Sequence, residues 1–127
     1  MSETMGFQYV VLRCVPRVDR EEFVNVGVVL YCQRAGFLAA RCHVDRERLA
    51  VLAPELDLDA VCSALAAVAA VCAGEESAGV AGQGPLGTRF GFVSAPRSTV
   101  VQPGPIHGGV TEDPAAQLEH LLETLVR

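Results

Sequence analysis

Lysine is missing from this 127-residue chain, and all ten of its basic residues are arginine. With alanine, glycine and valine abundant, this reads as a genomic base bias and carries no mechanism. Tryptophan is absent and aromatics make up 6%. A positive charge balance is lacking too: the formal net charge is −5. Nonspecific nucleic-acid binding, which neutralises phosphates with clustered Lys and Arg, is therefore not expected. The charge is uneven, with seven Arg against six acids in residues 1–48 and three Arg against nine acids in residues 49–127. An anion-binding surface is expected on the first half. Long apolar runs are also missing. The nearly charge-free stretch Ala60 to Ala73 falls short of the ~20 residues that span a bilayer. Met1-Ser-Glu-Thr has no positive n-region, so no secretory signal is expected and the expected compartment is the cytoplasm. The five cysteines, Cys14, Cys32, Cys42, Cys62 and Cys72, contain no C-x-x-C pair and no compact Cys/His ligand spacing, which predicts reduced, buried thiols and no metal. The glycines between Ala73 and Gly91 follow no strand and lack a Lys-Ser/Thr ending, which excludes a nucleotide P-loop.

Half of the residues are hydrophobic and one-fifth are charged, the composition of a globular protein. At this length a single domain over residues 1–127 is expected, burying roughly two-thirds of its unfolded surface. Phe7 to Val15 alternates, with Val10, Leu12 and Cys14 on one face and Tyr9, Val11 and Arg13 on the other, as a strand does. A solvated connection over Asp19-Arg20-Glu21-Glu22 leads to the densest strand-forming run, Glu22 to Cys32. Strict alternation places Val24, Val26, Val28, Leu30 and Cys32 on one apolar face, and Phe23, Asn25, Gly27, Val29 and Tyr31 on the other. Gln33-Arg34-Ala35-Gly36 suits a hairpin turn, and Phe37 to Val44 forms a third strand. Its Cys42 joins Cys14 and Cys32 on one core face.

Asp45 is placed to cap a helix over Arg46 to Leu52, and Leu58 to Cys72 carries an apolar stripe at helical spacing. Residues 73–91 are rich in Gly, Ala and Ser and predict a flexible loop long enough to serve as a lid. Arg97 to Gln102 reads as a short fourth strand, which Pro103 confines to an edge or an end. Asp113 and Pro114 then open a closing helix with a stripe of Leu118, Leu121, Leu122 and Leu125. The expected class is α+β, in the order β-β-β-α-α-loop-β-α, with an antiparallel sheet of about four strands and helices on one face. The other sheet face is left half-exposed.

The runs Glu22-Phe-Val-Asn-Val-Gly-Val-Val-Leu, Arg97-Ser-Thr-Val-Val-Gln-Pro and Pro105-Ile-His-Gly-Gly, followed by Asp113-Pro, resemble the bacterial domain-of-unknown-function family numbered 3037. The resemblance covers nearly the whole chain and implies no established activity. It implies a functional partnership with a HipA-like kinase, beside which such proteins are often encoded. Ser and Thr are expected in many relatives where this chain has Gly104 and Gly108, so hydroxyls there are not essential.

Two groups of residues could carry chemistry. Arg97, Ser98, Thr99, Gln102 and His107 place a guanidinium, two hydroxyls, an amide and an imidazole within eleven residues. That set suits a phosphate or carboxylate ligand, or else an arginine paired with an acid and hydroxyls satisfying a strand end. Asn25 beside Gly27, with Arg13, Arg41 and His43 near, completes an anion pocket on one reading. On the other it marks a β-bulge at Gly27, with Asn25 bonding the C-terminal loop. Both place Pro103 to Gly109 near the second strand. No nucleophile elbow surrounds Ser98, and nothing motivates a metal at His43, His107 and His120, so no cofactor is expected. The leading expectation is a non-catalytic interaction or accessory module that uses the half-polar sheet face and the Arg97 to His107 segment. The alternative is a small-molecule, nucleotide or phosphate-binding protein, such as a phosphoester hydrolase.

Overall fold

β1 (Met5–Cys14) and β2 (Val24–Cys32) pair antiparallel, and one extra residue in β2 shapes everything built on them. The computed structural model describes residues 3–16 and 22–127. Most of the expected Asp19 to Glu22 connection lies outside the described residues. Leu12 faces Gly27 and Arg13 faces Asn25, so one step along β1 matches two along β2, and Val26 is the inserted residue of a β-bulge. The bulge changes which parity points where. Val24, Val26 and Val29 lie in one buried cluster with Val10, Leu12 and Cys14, whereas Val28, Leu30 and Cys32 lie in a second cluster with Phe7. The single even-numbered apolar face expected for β2 is thereby corrected: alternation holds only while no residue is inserted. Cys14 and Cys32 are buried on opposite faces, and Cys42 is exposed.

Gly27 lets the sheet close on its other side. A Cβ there would stand 3.0 Å from the Arg41 carbonyl oxygen and 3.3 Å from both Cys42 Cβ and Leu12 Cδ1. β3 (Phe37–Cys42) pairs antiparallel with β2 after a turn in which Gly36 takes φ 62°. His43 N–H extends the pairing by donating to the Val26 carbonyl at 2.9 Å. On the far side of β1, β4 (Val101–Pro103) and β5 (His107–Thr111) follow one another along the same edge. The order is β3-β2-β1, flanked by β4 and β5, and all pairs are antiparallel. The segment Pro103 to Gly109 thus lies beside β1, not beside β2. β5 was not anticipated, because Gly108-Gly109 carries no strand signal.

The α+β class with an antiparallel sheet stands, but helices cover both faces. α1 (Arg46–Leu52) and α2 (Leu58–Ala73) begin at Asp45 and Asp57, whose carboxylates accept from the Arg48 and Ala60 N–H groups at 3.1 Å each. They pack on the Val10–Leu12 side through Leu49, Val61 and Leu65. α4 (Pro114–Leu125), capped by Asp113, lays Leu118, Leu121 and Leu122 on the opposite side against Val28 and Leu30. The expectation of helices on one face fails because the bulge gives β2 large apolar side chains on both.

The expected loop over 73–91 contains a 3₁₀ segment, Glu76–Gly82, and α3 (Leu86–Ser94). Its helix propensity is poor, but Phe90 and Val93 are buried one turn apart, and Arg89 Nη1 donates to the Cys72 carbonyl at 3.0 Å. Tertiary burial and that cap outweigh local preference. Among the described residues no single helix is long and apolar enough to cross a membrane.

Two outcomes follow from this packing. Gly27→Ala presses a methyl on the β3 backbone and is expected to lower stability by about 1–3 kcal/mol, read as the urea midpoint at constant slope. An unchanged midpoint would show that β3 can retreat. Burial also pushes the Cys72 thiol up from 9.0 to about 11, with nearby Arg89 opposing. The folded chain then holds a proton that the unfolded chain releases, so this stability is complete below pH 9 and is lost between about pH 9 and 11. The loss should total about 2–3 kcal/mol, and Cys72→Ala should flatten that part of the profile.

Candidate functional site

Three residues singled out in the sequence meet in one row. Arg13 on β1 faces Asn25 on β2 and Gln102 on β4, and directly paired residues of an antiparallel sheet project to the same side. Here that side is the one bearing α4. Asn25 Nδ2 donates to the Leu125 carbonyl at 3.0 Å, tying the row to the last turn of α4. Gln102 Nε2 donates to the Thr99 carbonyl at 2.9 Å, which holds the bend before β4. The amide at Asn25 therefore binds the closing helix, not the Gln102 to Gly109 segment.

Arg13 is clamped. Its Cζ lies 4.2 Å from the centroid of the Phe23 ring, a cation–π contact. On the chain side, a Cβ at Gly104 would come within 3.1 Å of the guanidinium Cζ and Nε, so a side chain there would shift the guanidinium by a few tenths of an ångström. Gly104 N–H also donates to the Val11 carbonyl at 2.8 Å, locking it to β1. The Nε of Arg13 is buried and has no hydrogen-bond partner. Among the described residues no carboxylate pairs with this guanidinium. The negative end of α4, equivalent to about half a charge, lies beside the row through Leu125 and offsets only part of the cation. Sequence reasoning missed Phe23 and Gly104. Once the Leu12–Gly27 register is known, their places beside Arg13 follow, but that register depends on the bulge.

The remaining candidates divide between the two faces. His107 opens β5 opposite Tyr9, with ring centroids 5.2 Å apart, and is exposed. Arg41 on β3 pairs with Glu119 of α4, half-exposed on both sides. Arg97, Ser98 and Thr99 do not join His107. Arg97 stacks over Phe92 at 5.1 Å and donates from Nε to the Ala95 carbonyl at 3.3 Å and from Nη2 to the Phe92 carbonyl. It thereby closes the C-terminal end of α3. Thr99 Oγ1 donates to the Val101 carbonyl at 2.7 Å, and Ser98 is exposed in the preceding bend. Arg97 and Thr99 line a cavity with Leu12 and Val101 on the α2 side, across the sheet from His107. Proximity in sequence suggested one cluster, but the side chains before β4 and at β5 belong to different faces. Among the described residues no three His, Cys, Asp or Glu side chains gather as a metal site.

The arrangement on the α4 side can bind an anion. It presents a fixed guanidinium with open donors, beside an exposed aromatic ring, and the site carries no nucleophile within the row.

The family model described as "Protein of unknown function (DUF3037)" matches residues 9–126. No curated protein and no solved structure matches the chain.

Asn25→Ala should strip the Leu125 carbonyl of its donor and cost about 1 kcal/mol. The check is hydrogen exchange. Amides of the last turn of α4 should lose protection while those of β1 keep theirs.

Proposed function

The chain belongs to the DUF3037 family, and from that footing we propose that it is a non-catalytic accessory module that binds a protein partner on the α4 side of its sheet. In this reading Arg13 receives an acidic or phosphorylated side chain of the partner. The observation that carries it is the clamped guanidinium of Arg13, whose buried Nε has no partner. An incoming oxyanion on the outer N–H groups gives this guanidinium a charge-assisted bond. Phe23 against Arg13 and Ile106 just before β5, 46% and 51% exposed, supply apolar area. An arginine beside exposed aromatic and aliphatic groups is the composition from which binding hot spots are drawn. A HipA-like kinase in the cytoplasm is the partner this reading names.

The test is titration calorimetry of the purified chain with a HipA-like kinase. Arg13→Ala should weaken binding by at least tenfold, the order of a lost charge-assisted hydrogen bond, and Arg13→Lys should fall between. A thermal-shift arm with inorganic phosphate separates a free anionic ligand from a protein. Stabilisation by phosphate that Arg13→Ala removes, without kinase binding, would replace the partner reading by a ligand reading. No response in either arm would overturn both.

A further inference from the structure

On the side of the sheet away from Arg13, α2, α3 and the start of β4 line a half-open cavity of about 230 Å³. It exists because α2 turns Ala64 and Ala67 toward it, where a larger side chain would fill the space. Its depth is apolar, closed by Leu12, Val71, Val93 and Val101, all buried members of the α2-side cluster. Phe92, 48% exposed, forms one wall, and the mouth carries Arg97 and Thr99.

Among the described residues Arg97 is the only charged group on this lining. A guanidinium has five N–H donors, and two of those of Arg97 go to the Ala95 and Phe92 carbonyls. The contact with the Phe92 ring fixes the plane of the group. Among the described residues no carboxylate pairs with it. A fixed cation with donors to spare therefore stands at the rim of an otherwise apolar space.

We propose that this cavity binds a small amphipathic monocarboxylate, with its apolar body among Ala64, Ala67 and Val71 and its carboxylate on Arg97. Size sets the body. An engineered apolar cavity of about 150 Å³ holds benzene, so a cavity half as large again takes roughly six to eight carbons. Charge sets the head. One guanidinium matches one carboxylate, whereas a nucleotide's phosphates would lose hydration against an apolar lining with too few donors to replace it. This site lies on the opposite face from the Arg13 row and does not rest on the partner reading.

The experiment measures thermal shift and ¹⁵N chemical-shift changes of the full chain with octanoate, octanol and inorganic phosphate. Octanoate should raise Tm by about 3–8 °C at tenfold excess over its Kd, octanol less, and phosphate not at all. The amides that move should be those around Ala64, Ala67 and Val101, not those around Arg13. Arg97→Ala should reduce the octanoate response to that of octanol. Ala67→Leu fills the cavity from an exposed helical position, so it should keep or raise the Tm without ligand and abolish the response. Arg13→Ala should leave the response unchanged. The proposal is overturned if octanoate gives no shift, if the shift survives Ala67→Leu, if phosphate alone reproduces it, or if the perturbed amides lie elsewhere.

Discussion

The insertion of Val26 into β2 opposite Leu12 is the constraint on which the rest of the fold depends. With strict alternation this strand would put its large apolar residues Val24, Val26, Val28 and Leu30 on one face. By adding a residue halfway, β2 gives Val24, Val26 and Val29 to one core and Val28, Leu30 and Cys32 to the other. Gly27 is part of the same device. A Cβ at Gly27 would stand 3.0 Å from the Arg41 carbonyl oxygen, so a side chain there would press on the β3 backbone. Both cores are needed, because α2 and α4 each carry an apolar stripe that must find an apolar floor.

Sandwiching the sheet in this way decides where unusual side chains end up. Polar residues of β2, β1 and β4 meet at one end of the α4 side, as Asn25, Arg13 and Gln102 in register. The edge strand is broken at Pro103-Gly-Pro105, and the break matters twice. Gly104 brings the chain close enough to hold the Arg13 guanidinium. The stretch before it, Arg97 to Val101, turns toward α2 and frames a cavity on the other side. The Arg13 row and the Arg97-rimmed cavity are thus built from adjacent stretches of chain on opposite faces.

Much of the fold could be read in the residues. The strands of β1, β2 and β3, the caps at Asp45 and Asp113 and the leucine stripe of α4 each follow from local periodicity or from a side chain that satisfies helix N–H groups. Arg13, Asn25 and Gln102 were marked by being polar in strand-forming surroundings. β5 and α3 were not legible. Gly108-Gly109 and the Gly-rich run around Phe90 carry weak propensities, and they order because β1 offers a free edge and the α2-side core offers room for Phe90 and Val93.

The sequence by itself determined the α+β class, the antiparallel sheet and the identity of the unusual polar residues, since these rest on spacing within a few turns or pleats. Only the tertiary structure decided which of those residues meet. Register across strands is set by the bulge, which the Asn25 and Gly27 pair signals as one of two readings, and by the packing of two helical layers, which no local run determines. Arg97 and His107, ten positions apart, are parted by the sheet. Arg13, Asn25 and Gln102, far apart in the chain, stand side by side because hydrogen-bonded strands carry facing residues to one surface.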